Sequence, residues 1–79
     1  MPKLSVVIAR NLRGERAKAG LTQEQLAERV GWSRAVGGYV EQENRPITVD
    51  ELPRVARALG IRVIDLLDGA DPDDIGPFL

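Results

Sequence analysis

The 79-residue sequence contains no cysteine and no histidine. That excludes disulfides, thiolate or imidazole metal sites, and any catalytic apparatus built on Cys or His. Only two serines are present, Ser5 and Ser33. No apolar run approaches the ~18 residues needed to span a bilayer. The N-terminal MPKLS has none of the apolar length of a secretory signal. The expectation is a cytoplasmic protein that is not an enzyme, touches no membrane and holds no cofactor or metal. The aspartates near the C-terminus do not change this, because they lack the loop spacing of a calcium hand. What is present is 43% hydrophobic and 29% charged residues, a globular balance in a chain short enough for one domain.

The 11 basic and 12 acidic side chains leave a net charge of -1, which at first argues against a nucleic-acid partner, since such domains usually carry a basic surplus. The charges are segregated, however. Residues 1–64 carry all 11 basic and 7 acidic residues, whereas 65–79 carry Asp65, Asp68, Asp71, Asp73 and Asp74 and no base. A mildly cationic body, residues 1–68, is therefore expected to precede an acidic, mobile tail over 69–79. Phe78-Leu79 is an apolar end expected to fray.

Helix signals recur along the body and no strand pattern does. Leu4, Val7, Ile8 and Leu12 form an apolar stripe that predicts a helix over 4–19, with Gly20 as its stop. Thr22-Gln23-Glu24-Gln25 is a capping box: the Thr22 hydroxyl accepts from the Gln25 N–H and the Gln25 side chain reaches back, with Leu21 and Leu26 as the staple. That helix runs to Val30 and ends at Gly31. Ser33 is the expected cap of a third helix, 33–42, which carries Gly37-Gly38 at its centre, a propensity cost of roughly 1.5–2 kcal/mol against alanine. Thr48 and Glu51, flanked by Ile47 and Leu52, repeat the capping box, with Leu52, Val55, Ala56 and Leu59 inward and Gly60 as the stop. Pro53 predicts a distorted first turn there. Ile61–Asp68 is read as a last short helix with Ile64 and Leu67 inward. The fold class is all-α, five short helices around one core.

Helices two and three are joined by Gly31-Trp32-Ser33, a three-residue turn with glycine, which is helix-turn-helix geometry. Gly20-Leu21-Thr22-Gln23-Glu24-Gln25-Leu26-Ala27, Gly31-Trp32-Ser33-Arg34, Tyr39-Val40-Glu41, Ala56-Arg57-Ala58-Leu59-Gly60-Ile61 and Asp65-Leu66-Leu67 together resemble the lambda-repressor-like (Xre/Cro-type) helix-turn-helix family, over roughly residues 8–68.

The resemblance implies a double-stranded DNA partner, with helix 33–42 in the major groove. Gln23 matches a residue that opens the second helix, touches a phosphate and braces the recognition helix. Arg34 matches the first base-reaching position, where an arginine can bind guanine O6 and N7. Ala35, Gly38 and Tyr39 match further groove-facing positions, and Asn44 and Arg45 fall in the loop that meets the phosphate backbone. Arg16 and Glu41 match an internal ion pair between the first and third helices. Glycine 37 stands where such domains usually carry a bulky aliphatic residue, so either a cavity or a closer helix crossing is expected there.

The expected role is a transcriptional regulator, a repressor before an activator, working as a homodimer on half-sites about one helical turn apart. The alternative is a protein-interaction or antitoxin-like module on the same fold, using Trp32, Tyr39 and the acidic tail to hold a protein partner.

Overall fold

A computed structural model describes residues 3–42, 45–71 and 73, with the side chains of Arg34 and Tyr39 outside that description. Among the described residues the secondary structure is entirely helical: α1 (Leu4–Lys18), α2 (Gln23–Val30), α3 (Arg34–Glu41) and α4 (Leu52–Leu59), with 3-10 segments at Val49–Glu51 and Val63–Leu67. None of these helices is long and apolar enough to cross a membrane.

Each boundary has a local cause. Thr22 Oγ1 accepts from Gln25 N at 3.1 Å while Gln25 Oε1 accepts from Thr22 N at 2.8 Å, so two of the free N–H groups at the start of α2 are satisfied. Gly31, at φ +90°, lets the chain turn left-handed, and Trp32 N then donates back to Ala27 O at 2.8 Å. This closes α2 with a Schellman-type bond and directs Trp32 toward the core. The same bond ends α4, from Ile61 N to Ala56 O at 3.0 Å across Gly60.

Two sequence expectations are corrected, the Ser33 cap and the last helix, while the distorted first turn expected at Pro53 is found. Ser33 occupies the cap position of α3 but makes no side-chain capping bond. The Val36 N–H donates to the Ser33 carbonyl at 3.1 Å. The helix expected from Thr48 begins as a 3-10 turn, with Glu51 N donating to Thr48 O at 3.0 Å. Pro53 has no N–H to return to the Val49 carbonyl, so an α-turn cannot form there.

The fifth helix is not α-helical. Val63–Leu67 is a five-residue 3-10 segment, too short to nucleate an α-helix and opened by two β-branched residues. Three residues per turn change its inward face. Ile64 is 43% exposed while Leu66 is fully buried, and Leu67 is buried beside it. Asn11 holds the segment to α1 by donating from Nδ2 to Leu66 O and to Asp68 O, both at 2.8 Å.

Leu12, Leu26, Val40, Val55 and Leu66 are the most completely buried large side chains. They come from all four α-helices and the last 3-10 segment, so one core fixes every element relative to α2 and α3. Among the described residues, no buried side-chain nitrogen or oxygen lacks a hydrogen-bond partner.

Candidate nucleic-acid interface

The α2–turn–α3 unit depends on a close helix crossing at Gly37. A Cβ placed there would lie 3.0 Å from Gln23 O and 3.2 Å from Ala27 Cβ, so the hydrogen of glycine is what lets α3 approach α2. Of the two expectations for this position, closer packing is the one found. Val40 and Glu41 join Gly37 on the buried side of α3. Ala35 is exposed and Gly38 half-buried on the other side, and a Cβ on Gly38 would approach only Gln23 Oε1, at 3.4 Å. The outer edge of α3 therefore carries little side-chain bulk at these two positions.

A buried ion pair ties the end of α3 to α1. Arg16 Nε and Nη2 donate to the two oxygens of Glu41 at 2.6 and 2.9 Å, and Arg16 Nη1 donates to Leu21 O at 2.7 Å. The Glu41 side chain is 2% exposed. Gln23, at the start of α2, adds a longer bond from Nε2 to Glu41 Oε1 at 3.4 Å. Gln23 thus meets α3 twice, through its backbone carbonyl at Gly37 and through its amide at Glu41.

A second carboxylate, Glu51, is also held by several donors, and of these the sequence patterns join only Thr48 to it. Glu51 is buried. Trp32 Nε1 donates to its Oε2 at 2.6 Å. Arg45 Nη2 and Nη1 donate to Oε2 and Oε1 at 2.8 and 3.1 Å. Thr48 N and Oγ1 donate to Oε1 at 2.9 and 3.1 Å. The Arg45 guanidinium also lies 5.8 Å from the centre of the Trp32 ring, within cation–π range. The Arg45 guanidinium is the main reason the Glu51 carboxyl is held down at about 2, with the Thr48 and Trp32 donors adding to it and burial opposing. Arg45 is raised above its ordinary value by the same pair.

The sequence-derived site residues therefore divide. Gln23, Ala35 and Gly38 lie together at the α2–α3 crossing and on the outer edge of α3. Arg34 opens α3 and Tyr39 lies in its second half, but their side chains, like the whole of Asn44, lie outside the described residues. Most of the acidic tail, including Phe78-Leu79, also lies outside them. Arg45 has its guanidinium on Glu51 rather than presented alone to solvent. Trp32, expected as a handle for a protein partner, is half-buried, packs on the core and donates to Glu51. Asn11 and the clasping role of Glu51 were missed by sequence reasoning. Glu51 was visible only as the end of a local capping box. Among the described residues, no cluster of three or more His, Cys, Asp or Glu side chains could hold a metal ion.

Comparison with known proteins agrees with this architecture. Residues 7–68 match the helix-turn-helix domain family. The chain is 41% identical over 61 residues to the control protein C.SmaI of Serratia marcescens, covering 77% of this chain and 73% of that protein. It is similar to the crystal structure of the hypothetical transcription factor NHTF from Neisseria, at a TM-score of 0.78 and 30% identity, over 98% of this chain and 86% of that structure. It spans 60% of the full length of the hypothetical transcription factor of Neisseria meningitidis that it matches in sequence. It also resembles the restriction-modification controller protein C.AhdI of Aeromonas hydrophila, at a TM-score of 0.73 and 34% identity, over 78% of this chain and 94% of that structure. The chain belongs to the helix-turn-helix DNA-binding family.

Proposed function

We propose that this protein is a sequence-specific, double-stranded DNA-binding transcriptional regulator, and not an enzyme, that lays α3 in the major groove. The observation that supports this best is the α2–turn–α3 unit itself. Its inner side is locked by Gly37, Val40 and the Arg16–Glu41 pair, and its outer edge is nearly free of bulk at the exposed Ala35 and the half-buried Gly38. A major groove ~12 Å wide admits one helix, and a thin edge lets the backbone come close to the base pairs. Ala35 suits a thymine methyl. Arg34 is assigned a guanine contact, Tyr39 a base or phosphate contact, and Asn44 a phosphate contact. The N-terminus of α2, with Gln23, presents free N–H groups to a phosphate.

The small cationic surplus of residues 1–64 limits nonspecific attraction, so discrimination rests on these few groove contacts. One recognition helix gives a small interface, and two copies on a palindrome, about one helical turn apart, would double it. We assign the chain to the cytoplasm, where its DNA would lie. A site overlapping a promoter would make it a repressor.

Relatives named as a control protein, a controller protein and a hypothetical transcription factor support the regulatory reading. Of the residues in the partner-binding alternative, Trp32 has its indole N–H already held by Glu51, which weighs against that residue as a handle, while the Tyr39 side chain and most of the tail lie outside the described residues. Selection from random duplexes at two salt concentrations tests the proposal. Enrichment of a palindromic motif at both is expected. No enrichment at either would contradict groove reading and favour a protein partner.

A further inference from the structure

Helix α3 needs outside support. It has eight residues, no side-chain cap at Ser33 and two adjacent glycines in its middle, so its own propensity contributes little toward holding it in place. The Arg16–Glu41 pair secures its last turn from the α1 side. Glu51 gathers the chain on both flanks: Trp32 in the turn before α3 and Arg45 in the loop after it. One carboxylate outside the helix-turn-helix unit therefore ties together the two ends between which α3 is strung. Both of its oxygens are occupied and it is nearly inaccessible, while the Arg45 side chain is 35% exposed.

Resting on the DNA-binding reading above, we propose that Glu51 is a positioning residue for the recognition helix, and that Arg45 serves DNA binding as the cationic half of this Trp32–Glu51–Arg45 clasp rather than as a phosphate ligand. The two roles for Arg45 differ in a measurable way. A side chain that neutralises a phosphate releases counterions, and its loss makes the dependence of log affinity on log salt shallower by about one. A side chain whose charge is already matched by Glu51 releases none. Its loss instead lets α3 shift, which harms fit to the preferred duplex while sparing nonspecific binding.

The test uses the full chain, a selected palindromic duplex and a scrambled duplex of equal length, titrated at several salt concentrations well below each variant's melting temperature. Arg45→Gln, Glu51→Gln and Trp32→Phe should each narrow the ratio of specific to nonspecific affinity by about tenfold, with the salt slope of Arg45→Gln equal to wild type. A slope shallower by about one in Arg45→Gln, or an unchanged affinity ratio in Glu51→Gln, overturns the proposal. Should Glu51→Gln fail to fold, Trp32→Phe decides, since it keeps the Arg45–Glu51 pair and an aromatic side chain but removes the Nε1 donor to Glu51; an unchanged ratio there overturns the clasp. If the wild type prefers no duplex, the DNA-binding reading fails separately. Amide exchange in the free protein then judges the clasp. Faster exchange over 35–41 in Trp32→Phe than in wild type upholds it, and equal exchange refutes it.

Discussion

The glycines of this protein test helix packing against helix propensity. Gly14 lies in the interior of α1, and a Cβ there would meet nothing within 4 Å. Gly14→Ala should therefore gain the full propensity difference, about 0.8–1 kcal/mol. In a domain of this size that raises the melting temperature by about 4–8 °C. Gly37→Ala earns the same propensity gain in α3 but places its Cβ 3.0 Å from a backbone carbonyl oxygen and 3.2 Å from Ala27 Cβ. Ordinary nonbonded separations between carbons are roughly 3.5–4.0 Å, and a backbone carbonyl cannot swing aside as a flexible side chain can. Overpacking of this kind costs about 1–3 kcal/mol, enough to cancel or reverse the gain. The two variants should thus differ by roughly 1–3 kcal/mol, read as a separation of at least about 4 °C in thermal unfolding by circular dichroism. Gly38→Ala, whose Cβ meets only the Gln23 amide oxygen at 3.4 Å, should stabilise like Gly14→Ala while weakening binding to a selected duplex. If Gly37→Ala raises the melting temperature as much as Gly14→Ala, the tight α2–α3 crossing is not what the glycine serves.

Glu41→Ala strips the partner from a mostly buried Arg16 and should destabilise by about 3 kcal/mol or more in urea unfolding; a loss under about 1 kcal/mol would show the pair to be incidental. The Glu51 carboxyl is lowered from its ordinary 4.5 to about 2. A depressed carboxylate stabilises the folded chain above its unfolded value, so this contribution, about 3 kcal/mol, is complete above pH 4.5 and disappears as pH falls toward 2. Subtracting the stability–pH curve of Glu51→Gln from that of wild type should isolate this loss, and parallel curves would refute it. Asn11→Ala leaves the carbonyls of Leu66 and Asp68 without that donor and should cost about 1–2 kcal/mol, with amide exchange quickened first at 63–67. Arg34→Ala should relax base preference at one position per half-site, by about 1–3 kcal/mol in competition binding; unchanged preference would remove Arg34 from the groove.

Local chemistry made much of this fold legible, and long-range chemistry made the rest illegible. The capping box at Thr22 and the stop at Gly31 involve residues within a few positions of one another, so their hydrogen bonds could be anticipated from spacing alone. The same holds for the distortion at Pro53. The last segment misled because an apolar pattern does not distinguish 3.6 from 3.0 residues per turn over five residues, and the difference exchanges Ile64 for Leu66 in the core. Ser33 misled because a residue type favoured at the cap position does not by itself form the side-chain bond, and here the Val36 N–H donates to the Ser33 carbonyl. The Arg16–Glu41 pair was suggested by family resemblance, since no spacing rule joins positions 25 residues apart. Glu51 was half-seen: its bond to Thr48 N is local, but those to Trp32 and Arg45 arise only once folding has brought the Val49–Glu51 turn against the turn before α3 and the loop after it. The sequence therefore showed nothing of the bonds that Trp32 and Arg45 make to Glu51.

The central claim is that the outer edge of α3 meets the bases, and amide chemical-shift mapping tests it most directly. Isotope-labelled protein would be titrated with a duplex obtained by selection, and with a scrambled duplex as control. Shifts confined to the first turn of α2, the outer edge of α3 around Ala35 and Gly38, and the following loop, appearing with the selected duplex and weaker with the control, are the predicted result. Shifts centred on α4 or the Val63–Leu67 segment, or a pattern that does not distinguish the two duplexes, would contradict it.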